Sequence, residues 1–217
     1  MNRITTYIRQ SLQEIYPPEE VKALSMLICC DMLGLDALDI YMGKDIILSE
    51  CKQRELENII FRLQKNEPIQ YIRGFAEFDG RRFKVAPGVL IPRPETVELV
   101  ELVARENTDA CRLLDIGTGS GCIAISLDKR LPDAKVEAWD ISEEALAIAY
   151  TNNKELEAEV MFLQRDVLSD DWEKRPSFDV IVSNPPYVTE AEKSGMDANV
   201  LDWEPELALF VPDDDPL

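Results

Sequence analysis

The sequence contains no histidine among its 217 residues. Histidine is the side chain that proteins use most often as a general base and as a metal ligand. A Cys–His catalytic pair is therefore excluded, and no two of the five cysteines form the C-x-x-C pair of a zinc site. We expect no metal centre, and we expect the cysteines, an odd number without a secretory signal, to be reduced thiols.

Long apolar runs are missing as well. No stretch of about 18 apolar residues occurs, which excludes a transmembrane helix, and residues 1–10 are not followed by the apolar core of a signal peptide. With 46% hydrophobic residues the chain can still bury a substantial core, which excludes a disordered protein. We therefore expect a cytoplasmic protein that does not associate with membranes.

Basic residues are scarce, and the imbalance is uneven along the chain. Lys and Arg number 23 against 42 Asp and Glu, for a formal net charge of -19. Residues 1–84 hold 12 basic and 13 acidic side chains, so nearly all of the excess lies in residues 85–217. Such a surface repels polyphosphates and disfavours direct binding of nucleic acid. It indicates either a solvated acidic surface or attraction to a basic protein partner.

The first third of the chain has helical periodicity. Apolar residues recur at helical spacing, and Pro, Gly and Ser stand where helices end or begin. The pattern predicts helices from Asn2 to about Tyr16, from Pro18 to Gly34, from Asp36 to Met42, and from the cap Ser49 to before Pro68. These helices predict a small helical bundle that forms one domain over residues 1–72.

After the helical segment, the spacing of the apolar residues changes twice along the chain. Phenylalanines flank Asp79-Gly80, a favoured hairpin turn, which predicts a β-hairpin linker over residues 73–92. Strand and helix patterns alternate over the remaining residues 93–217, with a helix expected near residues 95–106. Short apolar strands are predicted at 112–116, 136–140, 160–163 and 178–183. This alternation predicts an α/β domain with a parallel sheet and right-handed crossovers.

A glycine-rich turn follows the first of these strands. The run Asp115-Ile116-Gly117-Thr118-Gly119-Ser120-Gly121 lies at a strand-to-helix junction, where glycines let a ligand approach the backbone. Its last glycine comes one position earlier than in the dinucleotide fingerprint, so the loop departs from the pyrophosphate-binding pattern. A tight turn with a purely structural role is the alternative.

An acidic residue ends the next strand. Asp140 follows Asp115 by 25 residues, at a place where a carboxylate can accept hydrogen bonds from both hydroxyls of a ribose. A helix cap or a surface acid is the alternative, although Ser142 already suits the cap. The glycine turn and Asp140 together indicate an adenosyl ligand, without separating a nicotinamide cofactor from S-adenosylmethionine.

The tetrad Asn184-Pro185-Pro186-Tyr187 follows the last predicted strand. Two prolines stiffen the backbone and remove two N–H donors, which leaves carbonyl groups free to accept hydrogen bonds. A planar NH₂ group could donate one hydrogen to the Asn184 side chain and the other to the Pro185 carbonyl, so that its lone pair faces a methyl donor. Tyr187 can pack on the flat face of an amide or a base. The tetrad therefore favours methyl transfer over hydride transfer.

With these motifs the chain resembles the class I S-adenosylmethionine-dependent methyltransferases, and specifically the HemK-type N(5)-glutamine methyltransferases that modify peptide chain release factors. The resemblance covers essentially the whole chain. Besides the motifs above, it rests on the segments 68–74 (PIQYIRG), 89–96 (VLIPRPET) and 204–209 (EPELAL). The tetrad alone also occurs in adenine-N6 and guanine-N2 methyltransferases, so the proline–arginine segment makes the match specific.

The resemblance implies the fold and the cofactor. The fold is α/β, with a Rossmann-like doubly wound sheet of the class I methyltransferases, a small N-terminal helical bundle and a β-hairpin linker. The family's sheet has more strands than the four predicted here, so the resemblance implies a C-terminally incomplete methyltransferase domain. The implied cofactor is S-adenosyl-L-methionine, which leaves as S-adenosyl-L-homocysteine.

The resemblance also implies a role for individual residues, in three groups. Catalysis is implied for Asn184, Pro185 and Tyr187. Cofactor binding is implied for Asp115, Gly117, Thr118, Gly119, Ser120, Gly121, Asp140, Ile141, Asp166, Val167, Trp172 and Asn184. Substrate binding is implied for Asn184, Pro185, Pro186, Tyr187, Arg93 and Glu95. An interdomain salt bridge is the alternative for Arg93 and Glu95, and the two roles are compatible.

The implied reaction is methylation of the glutamine side-chain nitrogen in the Gly-Gly-Gln motif of a release factor. The helical domain is then expected to recognise that protein substrate, and the enzyme is expected to be a monomer. Two alternatives remain at this point. One is an amino-methyltransferase acting on adenine or guanine in DNA or rRNA, which the acidic charge disfavours. The other is a cofactor-binding fragment without turnover.

Overall fold

Contacts within the chain divide it into two units, Met1–Arg73 and Gly74–Leu217. The computed structural model describes residues 2–109, 111–169 and 177–214. No helix within these ranges is long and apolar enough to cross a membrane.

The first unit is built from helices whose ends follow the expected signals. Side-chain oxygens of Asn2, Asp36 and Ser49 accept hydrogen bonds from backbone N–H groups in the first turns of three helices, as N-caps do. The helices are α1 (Arg3–Leu12), α2 (Pro18–Met26), α3 (Ala37–Tyr41), α4 (Glu50–Leu63) and α5 (Ile69–Arg73), and a π-helical stretch (Leu27–Met32) continues α2.

Two details of this unit differ from the sequence expectation. Helix α1 ends at Leu12, earlier than the predicted end near Tyr16, and the N–H groups of Ile15 and Tyr16 both donate to the Leu12 carbonyl in a turn that precedes Pro17. Helix α5 was not predicted, and it follows directly after Pro68. The core of the unit consists of the apolar faces of the helices, including Ile8, Leu12, Ile28, Cys29, Leu56 and Leu63.

The second unit begins with the predicted hairpin. Strand β1 (Phe75–Phe78) pairs with strand β2 (Arg81–Lys84) in antiparallel register. The two turn residues Asp79 and Gly80 both have positive φ, +49° and +70°, which a type I′ turn requires. Helix α6 (Thr96–Glu106) follows, close to its predicted bounds.

A four-stranded parallel sheet carries the rest of the unit and confirms the predicted α/β class. The strand order is β5-β4-β3-β6, and all three pairings are parallel. The elements are β3 (Arg112–Ile116), α7 (Cys122–Arg130), β4 (Lys135–Asp140), α8 (Glu143–Glu155), β5 (Met161–Gln164) and β6 (Val180–Ser183). Each strand lies within two residues of its predicted bounds.

The topology of this sheet defines a switch point. From β3 the chain moves outward to β4 and β5, and then returns to place β6 on the other side of β3. The loops after β3 and β6 therefore diverge at the carboxyl edge of the sheet, where open α/β sheets bind their ligands. Leu113, Ala138 and Phe162 are buried on one face of the sheet, and Leu114 and Trp139 are buried on the other, so both faces are packed beneath this edge.

Short elements that the sequence did not predict follow the sheet. Strand β7 (Val188–Thr189) pairs in parallel with β8 (Phe210–Val211). Two 3₁₀ turns (Glu190–Gly195 and Glu206–Ala208) and helix α9 (Ala198–Leu201) lie between them. The tetrad 184–187 therefore lies between two strands, β6 and β7.

Candidate active site

The glycine turn is held against the neighbouring strand by backbone hydrogen bonds. Register pairs Ile116 with Trp139, and the N–H groups of Gly117 and Thr118 both donate to the Trp139 carbonyl, at 2.9 and 3.0 Å. The next N–H, that of Gly119, donates to Asp140 Oδ2 at 2.8 Å. The turn thus sits directly over the carboxyl ends of β3 and β4.

The three glycines of this turn have different surroundings. All three have positive φ, a region that residues with a Cβ avoid. At Gly117 and Gly119 a Cβ would meet no atom of the described residues within 4 Å, so these two positions face open space in that part of the chain. At Gly121 a Cβ would lie 3.1 Å from Ile125 Cδ1 and 3.3 Å from Ala149 Cβ. Gly121 therefore serves close packing of α7 and α8, and the open side of the turn is at Gly117 and Gly119.

The side chains of the turn point inward rather than into the open space. Thr118 and Ser120 are buried, and Thr118 Oγ1 donates to Asp115 Oδ2 at 2.6 Å. Asp115 is only 1% exposed, and this burial raises the pKa of its carboxyl to about 7. Its other oxygen, Oδ1, has no hydrogen-bond partner within the described ranges. Thr118 and Ser120 can reach a ligand at the open side only through their backbone.

Asp140 is engaged with the backbone on both oxygens. Besides Gly119, it accepts from the N–H of Ser142 at 2.9 Å. The Ser142 hydroxyl oxygen in turn accepts from the N–H of Ala145, so Ser142 caps α8 and Asp140 is not the cap. Ile141, between them, is 46% exposed. This strand end therefore presents a carboxylate beside an apolar surface.

The loop after β5 adds a third contribution to the same edge. Register pairs Asp140 with Gln164, and the N–H of Arg165 donates to the Asp140 carbonyl at 2.9 Å. Asp166 Oδ1 accepts from the N–H of Leu168 at 3.0 Å, which closes a local turn, and Val167 is half-buried. Trp172, also expected near the cofactor, lies outside the described residues.

The Asn-Pro-Pro-Tyr tetrad leaves the strand next to the glycine turn. Register pairs Ile116 with Ser183, so Gly117 and Asn184 are the first residues after two adjacent strands. The Ser183 hydroxyl donates to the Ile116 carbonyl at 2.8 Å and ties the two strand ends together. In the described part of the chain, no hydrogen bond engages the Asn184 side chain. Tyr187 is 65% exposed, so both groups are available to a ligand.

Arg93 and Glu95 are placed differently from each other. Arg93 Nη2 donates to Glu204 Oε1 at 2.6 Å, and the N–H of Ile91 donates to Glu204 Oε2 at 2.9 Å. The Glu204 side chain is only 1% exposed, so this carboxylate anchors the proline–arginine segment from the region after the tetrad. Both partners lie in the second unit, so this salt bridge is not the interdomain one that was the alternative role of Arg93. Glu95 is exposed and precedes α6.

The cavity beside the hairpin does not belong to this edge of the sheet. It is lined by Glu77–Arg82 and by Pro94 and Val97. Its most buried charged group, Asp79, pairs with Arg81 and Arg130, and the hydrogen bond from Arg130 is the main reason why the pKa of Asp79 is lowered. These charges satisfy one another and fasten the hairpin to α7.

Sequence reasoning missed three residues that support the site: Ser183, Glu204 as the partner of Arg93, and Asn152. Asn152 is the one with a signal in the sequence. It continues the buried stripe of α8 formed by Ala145 and Ala149, and a polar residue at such a position needs buried partners.

Four strand ends therefore converge: Gly117 after β3, Asp140 at the end of β4, Asp166 after β5 and Asn184 after β6. Among the described residues no cluster of three acidic or cysteine side chains could hold a metal ion. Within the described ranges, the arrangement offers carboxylates and an open glycine surface on one side, and free amide and carbonyl acceptors on the other. Such a pair of subsites can hold a cofactor beside an amino group.

Comparison with known proteins gives the family. The methyltransferase small domain matches residues 96–201, and the PrmC N-terminal domain matches residues 4–74. The chain is 82% identical over 217 residues to a release factor glutamine methyltransferase of Bacteroides thetaiotaomicron, covering all of this chain and 78% of that protein. It is 42% identical to a protein of the same name from Flavobacterium psychrophilum, covering 98% of this chain and 76% of that one.

Among solved structures, the tRNA (uracil-54, C5)-methyltransferase of Pyrococcus abyssi aligns with a TM-score of 0.43 and 21% identity, over 60% of this chain and 31% of that one. The family assignment depends on the sequence relatives, which share both the helical segment and the methyltransferase segment of this chain. The chain belongs to the release factor glutamine methyltransferases.

Proposed function

We propose that this protein transfers a methyl group from S-adenosyl-L-methionine to the side-chain nitrogen of the glutamine in the Gly-Gly-Gln motif of peptide chain release factors. The observation that carries the proposal is the pairing of Ile116 with Ser183, because it places the glycine turn and the Asn184 tetrad side by side. The names of the relatives support a release factor as the substrate.

The residues at the carboxyl edge fit the cofactor. Gly117 and Gly119 leave open space where side chains would otherwise stand, which suits the close approach of a ligand to the backbone. Asp140 lies at the strand end where a carboxylate can accept from ribose hydroxyls, and exposed Ile141 offers an apolar surface to the adenine. Asp166 and Val167 would flank the adenine, and we propose Trp172 for its other side. When bound, S-adenosylmethionine supplies a methyl group on a positively charged sulfur.

The tetrad would bind and orient the substrate amide. The Asn184 side-chain oxygen accepts one amide hydrogen, and the Pro185 carbonyl accepts the other. Both contacts polarise the N–H bonds and restore electron density to a nitrogen whose lone pair is otherwise delocalised. Orientation of this kind accounts for a large part of the rate in many enzymes. Tyr187 packs on the flat face of the amide, and the nitrogen releases its proton to solvent, so no histidine is needed.

Arg93 and Glu95 would border the substrate side of the cleft. Arg93 is one-third exposed although Glu204 holds it, so it can still present part of its guanidinium to a peptide. Pro186 keeps the backbone between the Pro185 carbonyl and Tyr187 rigid.

The remaining assignments are part of the same proposal. Residues 1–72 would recognise the release factor, residues 73–92 would link, and residues 93–217 would carry the methyltransferase domain. We propose a cytoplasmic monomer that acts on protein and not directly on nucleic acid, in keeping with the formal net charge of -19.

Substitution of Asn184 tests the catalytic part. Asn184→Ala removes one of two acceptors that polarise the amide, and we expect turnover to fall roughly 10²- to 10³-fold, as for loss of one polar contact to a reacting group. Binding of S-adenosylhomocysteine, measured by calorimetry, should stay close to wild type. Tyr187→Phe is the control, since it keeps the ring face and should keep most of the turnover.

Product analysis tests the substrate. Mass spectrometry of a release factor incubated with the protein and S-adenosylmethionine should show the mass of one added CH₂ on the glutamine of Gly-Gly-Gln. Parallel reactions with DNA and rRNA should incorporate no labelled methyl group. Near-normal methyl transfer by Asn184→Ala, or methylation of nucleic acid alone, would contradict the proposal, and cofactor binding without any transfer would indicate a non-catalytic module.

A further inference from the structure

Asn152 makes three hydrogen bonds in the interior of the second unit. The side chain is 1% exposed and lies on the inner face of α8. Its Oδ1 accepts from the N–H of Lys84 at 2.7 Å, and its Nδ2 donates to the Lys84 carbonyl at 3.1 Å. The same Nδ2 donates to the Ser120 carbonyl at 2.8 Å. An amide NH₂ has two hydrogens, so both are used.

The first partner of Asn152 is the outer edge of the hairpin. The N–H of Val85 donates to the Gly74 carbonyl, and register pairs Lys84 with Phe75. Neighbouring residues in an antiparallel strand direct their N–H and C=O groups to opposite sides. The backbone groups of Lys84 therefore point away from β1, and the Asn152 side chain pairs with them as another peptide group would.

The second partner of Asn152 is the glycine turn. Ser120 belongs to the turn, and its carbonyl lies directly before Gly121. One helical turn earlier on α8, Ala149 is the residue whose Cβ would meet a Cβ at Gly121, at 3.3 Å. Helix α8 thus supports the turn at two adjacent points, by packing at Ala149 and by a hydrogen bond at Asn152.

We propose that Asn152 is a positioning residue, which sets the glycine turn for the cofactor by tying the Ser120 carbonyl to the edge of β2. This inference rests on the proposed function, because it assumes that the turn binds the cofactor. Asn152 itself is buried and does not reach the open side at Gly117 and Gly119. Its effect is therefore on cofactor affinity rather than on the transfer step.

The neighbouring residue provides a matched control. Asn153 pairs in the same two-way manner with one backbone residue, since its Oδ1 accepts from the N–H of Val160 and its Nδ2 donates to the Val160 carbonyl. Among the hydrogen bonds of the described residues, none joins Asn153 to the glycine turn. Asn153→Ala therefore removes a similar amide from the same helix and leaves the turn untouched.

The experiment compares Asn152→Ala and Asn153→Ala in the full chain. We expect S-adenosylhomocysteine to bind about tenfold more weakly to Asn152→Ala, the loss that one buried hydrogen bond can produce, and within about twofold of wild type to Asn153→Ala. The KM for S-adenosylmethionine should rise while kcat at saturation changes little. In the protein without ligand, amide hydrogen exchange over residues 117–122 should be faster only in Asn152→Ala.

Asn152→Asp is a second variant that keeps the size of the side chain and the acceptor for Lys84 but lacks the NH₂ donor. It should weaken S-adenosylhomocysteine binding in the same way. Wild-type affinity and exchange in both folded Asn152 variants would overturn the inference and leave the proposed function intact. Failure of both to fold where Asn153→Ala folds would also overturn it, because Asn152 would then support the whole unit. If wild type itself fails to bind S-adenosylhomocysteine, the proposed function is what fails.

Discussion

Replacing Gly121 by alanine separates a glycine needed for packing from glycines needed for ligand access. Gly121 has φ +81°, and an added Cβ would lie 3.1 Å from Ile125 Cδ1, 3.3 Å from Ala149 Cβ and 3.3 Å from Phe162 Cζ. These neighbours come from α7, α8 and β5, so the new methyl group would press on three elements at once. Gly117, at φ +71°, has no atom of residues 2–109, 111–169 or 177–214 within 4 Å of the same position.

The magnitudes follow from these two environments. A residue with a Cβ in left-handed backbone costs about 1–2 kcal/mol, and both variants incur this cost. Overpacking a close-packed core costs about 1–3 kcal/mol more, and only Gly121→Ala incurs it. We therefore expect the free energy of unfolding to fall by about 2–5 kcal/mol in Gly121→Ala and by about 1–2 kcal/mol in Gly117→Ala.

Tryptophan fluorescence provides a selective assay. All three tryptophans of the chain, at 139, 172 and 203, lie in the second unit, so their emission in a urea titration reports on that unit alone. Gly121→Ala should unfold at the lower urea concentration. In calorimetry with S-adenosylhomocysteine, Gly117→Ala should lose more affinity, relative to its loss of stability, than Gly121→Ala does. The reason is that the methyl group added at Gly117 would occupy the side of the turn where the ligand is proposed to bind.

Equal losses of stability in the two variants would refute this reasoning, because it attributes the difference between them to the described neighbours of Gly121. A greater loss of stability in Gly117→Ala than in Gly121→Ala would also refute the reasoning, because the crowded position would then be Gly117.

Two further predictions concern buried carboxylates. Burial raises the pKa of Asp115 from 3.8 to about 7, so its proton is held more tightly in the folded protein. As the pH rises through the range between these two pKa values, the contribution of Asp115 to the free energy of unfolding should therefore decline. The stability of Asp115→Asn relative to wild type should therefore rise from pH 4.5 to 7.5 in urea titrations, and a pH-independent difference would be inconsistent with a buried acid. Glu204→Ala should lower the stability of the second unit by about 1–3 kcal/mol, because the buried N–H of Ile91 loses its acceptor while Arg93 remains partly exposed to water. Glu206→Ala, which removes an exposed carboxylate, is the control. An equally small loss of stability in Glu204→Ala and Glu206→Ala would disprove the anchoring role of Glu204.

Local signals in the sequence were sufficient for most elements. The hairpin was predictable from Asp79-Gly80, since few residue pairs tolerate positive φ at both turn positions, and the structure has positive φ at both. The parallel strands were predictable because their buried faces produce short apolar runs between turn residues. Ser49 and Ser142 were predictable as caps, because a hydroxyl at that place satisfies a free N–H whatever the tertiary fold.

The parts that escaped prediction depend on contacts distant in sequence. Glu204 and Arg93 are 111 positions apart, and nothing near Arg93 indicates which carboxylate it meets. Gly117 and Gly121 look alike in the sequence, since both suit a turn with positive φ, and only the packing of α8 and β5 shows that one is crowded. Strands β7 and β8, two residues each, are too short to produce a periodic pattern.

The geometry of the site depends on one strand register. Among the described residues, β6 has only β3 as a neighbour, so its register is determined from one side. Successive side chains of a strand face opposite sides, so a slip of one residue would turn Val182 out of the core and displace Asn184 from Gly117. In the observed register the Ser183 hydroxyl donates to the Ile116 carbonyl, and Val182 is buried. The apolar core and one side-chain hydrogen bond therefore favour the same alignment, which is the alignment that brings an amide-binding corner next to a cofactor-binding turn.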